Sequence, residues 1–115
     1  MQPKIGIDIA EVVRFKPLKL TKKQSFLHKI FSKEELVYCF ARVNTPQHLA
    51  GLYAAKEAVS KALGVEKFPF AEIEIKHAKN GAPFAVSRIT KRKLRLSISI
   101  THSKDVAVAV AIGIQ

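Results

Sequence analysis

Two charged side chains stand beside one another on a predicted helix, in a setting that could bind a ligand. Residues 51–64 carry an apolar stripe at helical spacing, and Glu57 and Lys61 lie one turn apart next to that stripe. Their neighbours on the helix are small: Ala50, Ala54 and Ala58. Because the pair is ringed by methyl groups, a ligand has room to approach the backbone closely. The structural alternative is a solvated ion pair, which contributes roughly a few tenths of a kcal/mol.

Three further residues with ionisable side chains occupy unusual positions: Lys56, Asp8 and His102. Lys56 falls inside the apolar stripe of the same helix. Asp8 lies at the end of a strand predicted over residues 4–9, and His102 ends an alternating run, both places where polar side chains commonly face a site. The alternatives are that Asp8 caps a helix beginning at Ala10 and that the backbone of a turn satisfies His102.

Three segments carry these residues, in this order along the chain: residues 6–11 (GIDIAE), 54–58 (AAKEA) and 97–104 (SISITHSK). Together they resemble the holo-[acyl-carrier-protein] synthase family of the 4'-phosphopantetheinyl transferase superfamily. The resemblance covers residues 5–112 and includes segments 31–36 and 80–83. It implies an enzyme of fatty-acid biosynthesis that transfers 4'-phosphopantetheine from coenzyme A to a serine of apo-acyl carrier protein. The implied reaction depends on Mg²⁺ and releases 3',5'-ADP.

The resemblance implies catalytic roles for Asp8, Glu57 and Lys61. Asp8 and Glu57 would hold Mg²⁺, which prefers a few carboxylates together with phosphate oxygens and retained waters. Lys61 would reach the pyrophosphate or the 3'-phosphate side of coenzyme A. Breaking a pyrophosphate linkage in this way demands charge neutralisation and positioning more than covalent catalysis. The group that takes the serine proton stays open between Glu57 and a metal-bound water.

By the same resemblance, coenzyme A lies against two later segments. The implied contacts are Gly81, Pro83, Thr101, His102 and Ser103. The chain departs from the family just before the Ala-Ala-Lys-Glu segment, where relatives often carry Arg or Trp and this chain has Leu52 and Tyr53. If an arginine at that place binds phosphate, either Arg42 or a nearby lysine compensates, or the affinity for coenzyme A falls. The departure also leaves open a catalytically inactive member retained for its interactions.

The resemblance further implies two protein partners, an acidic acyl carrier protein and further copies of the chain. Arg14, Lys22 and Lys23 are the candidate contacts for the carrier protein, and the planar fork of Arg14 suits a carboxylate. For any single lysine there, a solvated basic face is the alternative. A homotrimer with active sites between neighbouring subunits is also implied. Small size supports assembly, and the alanine face of residues 106–112 invites a helix or a neighbouring subunit.

Composition is that of a small basic domain spanning residues 1–115. The chain is 48% hydrophobic, and 20 Lys and Arg against 9 Asp and Glu give a net charge of +11. This charge favours anionic partners and raises the alternative of a nucleic-acid-binding module. However, the phenylalanines do not alternate with basic residues on a strand, as a stacking platform requires. Asp8 and Glu57 would also repel phosphate unless a cation bridged them, so we expect no nucleic-acid partner.

Other compositional features narrow the class of protein. No apolar stretch reaches the ~18 residues of a membrane span, and no apolar N-terminal leader is present. We therefore expect a soluble, cytoplasmic protein without a membrane partner. The single cysteine, Cys39, lies in an apolar run, which favours a buried and unreactive thiol. The four histidines have no spacing typical of a zinc site.

The elements that must position these residues form an α+β domain, in which N-terminal helices, one of them long, pack on a mainly antiparallel sheet. Helices are predicted over residues 10–15, 21–30, 33–41 and 46–63. Their end signals are Thr21 as N-cap, Ser32 with Glu35 as a capping box, Thr45 with Pro46 as N-cap and N1, and Gly64 as C-terminal glycine. After residue 70 the hydrophobic period changes to two. This predicts strands over residues 73–77, 84–86, 94–102 and 106–112, with a turn at Asn80-Gly81.

Overall fold

A long helix lies against an antiparallel sheet of three strands. The computed structural model describes residues 2–18, 25–65 and 70–113. Its helices are α1 (Ser25–Ile30), α2 (Lys33–Phe40) and α3 (Thr45–Leu63), with short 3-10 turns at Val12–Phe15 and Phe70–Glu72. Its strands are β1 (Lys4–Glu11), β2 (Ile73–His77), β3 (Pro83–Ser87), β4 (Leu96–His102) and β5 (Val106–Gly113).

The predicted α+β architecture is confirmed. Strands β1, β5 and β4 form one antiparallel sheet in that order, β2 and β3 form a separate hairpin, and α3 packs against all three strands of the larger sheet. The Asn80-Gly81 turn joins the hairpin as expected, with Gly81 at a positive φ of 90°. Among the described residues, no helix is long and apolar enough to cross a membrane.

The two faces of the three-stranded sheet differ in composition, because successive side chains of a strand point to opposite sides. The inner face, toward α3, carries Gly6, Asp8 and Ala10 of β1, Ala107, Ala109 and Ala111 of β5, and Ile98, Ile100 and His102 of β4. The outer face carries Ile5, Ile7 and Ile9, Val106, Val108, Val110 and Ile112, and Ser97, Ser99 and Thr101. The alanine face predicted to need a close partner is thus covered by α3 of the same chain.

Gly6 allows β1 to approach α3 backbone to backbone. A Cβ at this position would collide with the carbonyl oxygen of Ala58 and would lie 2.8 Å from the amide nitrogen of Ala62. Both obstacles are backbone atoms, which cannot turn aside as a flexible side chain can. The absence of a side chain at Gly6 therefore sets how close the strand lies to the helix.

The unusual position of Lys56 is explained by a buried ion pair with Glu35. The Lys56 Nζ lies 2.7 Å from Glu35 Oε1, and both side chains are fully buried. Lys56 also donates to the carbonyl oxygens of Ile30, at 2.8 Å, and Phe70, at 3.2 Å. Because each hydrogen of the ammonium has an acceptor, the charge can be buried at acceptable cost.

Each carboxylate oxygen of Glu35 also has a hydrogen-bond donor. Its carboxylate accepts from the amide of Ser32 at 2.7 Å, which completes the predicted capping box of α2, and from the amide of Ile75 in β2 at 2.8 Å. Burial raises the pKa of the Glu35 carboxyl and lowers that of the Lys56 ammonium, and the attraction between the two charges opposes both shifts. The pair thus joins α2 and α3 to β2 and to the end of α1.

Burial also determines the protonation state of the single cysteine. Cys39 is fully buried in α2, and burial raises the pKa of its thiol to about 12. A thiol of this kind stays protonated and is a poor nucleophile. The expected buried thiol is confirmed.

Three local expectations near the N-terminus were wrong or fall outside the described residues. Asp8 lies inside β1 rather than at its end, because pairing with β5 continues to Glu11 opposite Val106. The helix expected over residues 10–15 is a 3-10 turn that starts at Val12, so Asp8 does not cap it. Helix α1 is described from Ser25, and the proposed cap Thr21 lies outside the described residues.

Two further details differ from the sequence expectation. The N-cap of α3 is Asn44, which places Thr45 and Pro46 one position later than predicted. The Thr45 hydroxyl instead donates to the carbonyl oxygen of Arg42 at 2.8 Å. Glu74 alternates with the apolar Ile73 and Ile75 of β2, a pattern that favours an exposed side chain, yet it is buried and its carboxylate accepts a 2.6 Å hydrogen bond from the Ser32 hydroxyl.

The buried pair predicts a large loss of stability when one partner is removed. Lys56→Met leaves the Glu35 carboxylate buried without its counter-charge, and we expect the free energy of unfolding to fall by about 3–5 kcal/mol. Urea denaturation at one fixed protein concentration measures this change.

Glu34→Gln is the matched control, because Glu34 precedes Glu35 on α2 but its side chain is 74% exposed. It should change the free energy of unfolding by no more than about 0.5 kcal/mol. The double variant Glu35→Leu, Lys56→Met should be less damaged than Lys56→Met alone. A loss for Lys56→Met as small as that of Glu34→Gln would contradict the importance of the pair.

Candidate functional site

Asp8 and Lys61 meet at an open cavity where β1 passes α3. The Lys61 Nζ donates to the carbonyl oxygen of Ile7 at 2.9 Å and lies 3.3 Å from Asp8 Oδ1. This Asp8 cavity, of about 350 Å³, is lined by Ile7, Asp8, Ile9, Lys61 and Val108. The Asp8 side chain is 20% exposed and that of Lys61 54% exposed. Both charged groups are therefore accessible to a ligand that enters the cavity.

Glu57 lies one helical turn before Lys61 on α3 and is half-buried. It is not among the residues that line the Asp8 cavity. Within residues 2–18, 25–65 and 70–113, no three His, Cys, Asp or Glu side chains converge as a metal site. A cation bound by Asp8 and Glu57 would therefore take its remaining ligands from water or a phosphate. That donor set fits Mg²⁺ and does not fit zinc.

A second cavity brings together three of the residues assigned to coenzyme A. This His102 cavity, of about 150 Å³, is lined by Tyr38, His48, Gly51, Leu52, His77, Gly81, Pro83, Ile100 and His102. Gly81 and Pro83 come from the hairpin and His102 from the end of β4. Leu52, one of the two residues at which the chain was expected to depart from the family pattern, also lines this cavity.

Thr101 and Ser103 do not reach the His102 cavity. Thr101 pairs with Val108 and lies on the outer face of the sheet, opposite to His102. The Ser103 hydroxyl accepts from the amides of Asp105, at 3.3 Å, and Val106, at 3.4 Å, in the turn between β4 and β5. Of the three consecutive residues assigned to the cavity wall, the structure places only His102 there.

Sequence reasoning missed an aromatic cluster in the wall of the His102 cavity. The rings of Tyr38 and His77 stack at 3.9 Å with an interplanar angle of 6°, and the Arg42 guanidinium lies 3.5 Å from the centre of the Tyr38 ring. His48 lies edge-on to His102 at 5.3 Å and to Tyr38 at 5.9 Å. One signal was available, since His48 precedes Leu52 by one helical turn and so shares its face.

His48 and His77, the two histidines of this cluster that the sequence did not indicate, both have a lowered pKa. Burial lowers the pKa of His48, and the charges of His102 and Arg42 lower it further. Burial likewise lowers the pKa of His77, with additional contributions from Arg42 and His48. Both imidazoles are therefore neutral over a wider pH range than an exposed histidine is.

Arg14, the first of the candidate carrier-protein contacts, is exposed in the turn after β1. Its guanidinium lies 5.4 Å from the centre of the Tyr53 ring and 5.9 Å from that of Phe15. These contacts hold the side chain against the body of the domain and leave its charge at the surface. Lys22 and Lys23 lie outside the described residues.

The candidate site is thus divided within one chain. Asp8 and Lys61 line the first cavity, Gly81, Pro83 and His102 line the second, and the two cavities share no lining residue. Each cavity offers part of what a phosphorylated nucleotide substrate requires. One carries a carboxylate with an ammonium, and the other carries imidazoles and aromatic rings.

Comparison with known proteins shows the family to which the chain belongs. The model of the 4'-phosphopantetheinyl transferase superfamily matches residues 4–111. The holo-[acyl-carrier-protein] synthase of Caldicellulosiruptor bescii is 41% identical over 117 residues, which cover 95% of each chain.

Solved structures agree with the sequence comparison. The Helicobacter pylori holo-[acyl-carrier-protein] synthase in complex with coenzyme A has a TM-score of 0.77 at 33% identity, covering 93% of this chain and 96% of that one. A holo-(acyl-carrier-protein) synthase from Bacillus anthracis in complex with CoA (3',5'-ADP) has a TM-score of 0.75 at 29% identity, covering 95% and 93%.

Proposed function

Because the chain belongs to the 4'-phosphopantetheinyl transferase superfamily, we propose that it transfers 4'-phosphopantetheine from coenzyme A to a serine of apo-acyl carrier protein. The products are holo-acyl carrier protein and 3',5'-ADP, and the reaction serves fatty-acid biosynthesis in the cytoplasm. The observation that carries the proposal is the convergence of Gly81, Pro83 and His102 on one cavity while Asp8 and Lys61 line another. Similar enzymes whose structures contain coenzyme A support the same ligand here.

The His102 cavity is the part of the site that we assign to the nucleotide of coenzyme A. Gly81 lies in an exposed turn without a side chain, and Pro83 presents a rigid apolar edge, so a flat ring system can lie close to the backbone. The His102 imidazole can donate a hydrogen bond to a phosphate oxygen. These residues bind and orient the substrate, which is the main requirement for phosphoryl transfer.

The Asp8 cavity is the part that we assign to the pyrophosphate. Asp8 and Glu57 are the residues that would hold Mg²⁺, which when bound neutralises charge on the pyrophosphate and on the departing 3',5'-ADP. The Lys61 ammonium, now directed at Asp8 and the Ile7 carbonyl, retains enough exposure to reach a phosphate oxygen. The proton of the attacking serine passes to Glu57 or to a water in the cavity.

The outer face of the sheet supports a homotrimer with active sites between neighbouring subunits. Ile5, Ile7 and Ile9 are 64%, 59% and 63% exposed, an unusual amount of open apolar surface for one strand. Ile7, Ile9 and Val108 of this face also line the Asp8 cavity. A neighbour that covers the outer face therefore also closes the cavity, and can bring its own nucleotide-binding residues to it.

Removing either proposed Mg²⁺ ligand should abolish transfer without unfolding the domain. Glu57→Gln keeps the size of the side chain and removes its charge, and we expect turnover to fall by at least about 100-fold, as does Asp8→Asn. Incubation with apo-acyl carrier protein, coenzyme A and Mg²⁺, followed by the mass of the carrier protein, measures transfer. Thermal unfolding checks the fold.

Glu11→Gln is the matched control, because Glu11 is an exposed carboxylate on the same strand as Asp8. It should turn over like the wild type. Full turnover by Glu57→Gln or Asp8→Asn at low Mg²⁺ concentration would show that the two carboxylates do not hold the ion.

We further propose that Arg14 contacts the acidic carrier protein, together with Lys22 and Lys23. Arg14→Ala should raise the KM for carrier protein by about fivefold to tenfold and leave the KM for coenzyme A unchanged, because a bidentate ion pair is lost. The difference should shrink as salt rises, since exposed charges are screened.

Lys16→Ala serves as the control for Arg14→Ala, because Lys16 is an exposed cation two residues further along. We expect it to have a much smaller effect on carrier-protein use. If Arg14→Ala instead raises only the KM for coenzyme A, the arginine belongs to the nucleotide site.

A further inference from the structure

Three imidazoles from three different elements line the His102 cavity. His48 comes from α3, His77 from β2 and His102 from β4. Tyr38 joins them, since its ring stacks on His77 at 3.9 Å and meets the edge of His48 at 5.9 Å, while His48 meets His102 at 5.3 Å. The proposed nucleotide contacts Gly81, Pro83 and His102 do not account for His48 or His77.

The ionisable groups around this cluster carry either positive charge or none at neutral pH. Tyr38 comes from α2 and Arg42 from the turn that follows this helix, and the three histidines come from α3, β2 and β4. Arg42 and His77 each lie within 4 Å of the Tyr38 ring, so they occupy opposite faces of it. No carboxylate is among the described residues that line the cavity.

None of the described residues that line the cavity therefore carries a permanent charge of either sign. Leu52 contributes only apolar surface, and the Arg42 guanidinium is held by the carbonyl oxygen of Tyr38 at 2.7 Å. Protonation of His48 or His77 in the free protein must overcome burial and the repulsion of Arg42 and the other imidazoles. An anion in the cavity would remove that repulsion.

We propose that His48 and His77 make the His102 cavity a proton-gated site for a phosphate group, in which proton uptake supplies the positive charge that binds the anion. The identity of the ligand as the phosphorylated nucleotide of coenzyme A rests on the proposed function. Linkage requires that the effect be reciprocal: protons strengthen binding of the phosphate, and the phosphate strengthens binding of protons. The site binds the nucleotide more tightly as the pH falls from 7.5 to 5.5.

The test uses the complete wild-type protein and follows its four histidines by NMR during a pH titration, with and without 3',5'-ADP. We expect the imidazoles of His48 and His77 in the free protein to titrate below the usual range of an exposed histidine. Addition of 3',5'-ADP should raise their titration midpoints by about one pH unit. His28 is the internal control, because it is exposed on α1 and lies outside the cavity. Equal small movements of all these midpoints would overturn the proposal.

Binding measurements on variants provide a second readout. The wild type should bind 3',5'-ADP about tenfold more tightly at pH 5.5 than at pH 7.5, the size expected for one charge-assisted hydrogen bond. Adenosine, which lacks phosphate, should show no such gain. The double variant His48→Gln, His77→Gln should lose the pH dependence, and His28→Gln should keep it. A pH dependence that survives in the double variant would contradict the assignment.

The outcome separates this inference from the proposed function. Transfer to the carrier protein without any coupling of nucleotide binding to His48 and His77 would refute the proton-gated site and leave the transferase activity in place. Coupled binding without transfer would support the site and refute the transferase assignment.

Discussion

The ion pair between Lys56 and Glu35 is the interaction on which the arrangement of both cavities depends. It fixes the rotation of α3 about its own axis, because Lys56 must point into the core to reach a carboxylate held by α2 and β2. With Lys56 so directed, Glu57 and Lys61 are carried to the side where β1 passes. The same helix presents His48, Gly51 and Leu52 to the other cavity.

The close approach of β1 to α3 is the second constraint. Gly6 brings strand and helix backbones together, and the alanines of β5 keep the inner face of the sheet shallow. At this distance the Lys61 ammonium can reach both the Ile7 carbonyl and the Asp8 carboxylate. The small residues of both elements thus have a physical purpose, since larger ones would separate the charged groups.

The parts of the fold that could be predicted are those with local signals. The capping box of Ser32 and Glu35, the left-handed Gly64 and the Asn80-Gly81 turn depend on residues a few positions apart, and all three are present. The position of Asp8 within its strand depends instead on pairing with β5, about 100 residues later. Local sequence signals could not show where that pairing ends.

The distinction between local signals and long-range contacts also applies to the candidate site. The family resemblance assigned Gly81, Pro83 and His102 to one ligand, and all three line one cavity. Thr101 was assigned to the same ligand, but it follows the alternation of its strand and faces the other side of the sheet. That alternation was legible in the sequence. The stacking of Tyr38 on His77 was not, because it joins a helix to a strand nearly 40 residues further along. Burial of Lys56 could be noticed from its angle on the helix, but its partner could not be identified.

The proposed trimer would bring the Asp8 cavity of one subunit to the His102 cavity of its neighbour. Co-expression of Asp8→Ala and His102→Ala subunits tests this most directly, with phosphopantetheine transfer as the readout. Each variant alone should have little activity, whereas the co-expressed mixture should regain about one quarter of wild-type activity, because about one in four interfaces of randomly assembled trimers pairs an intact Asp8 with an intact His102. Activity of the mixture no greater than the mean of the separate variants, or full activity in a monomer, would contradict a site shared between subunits.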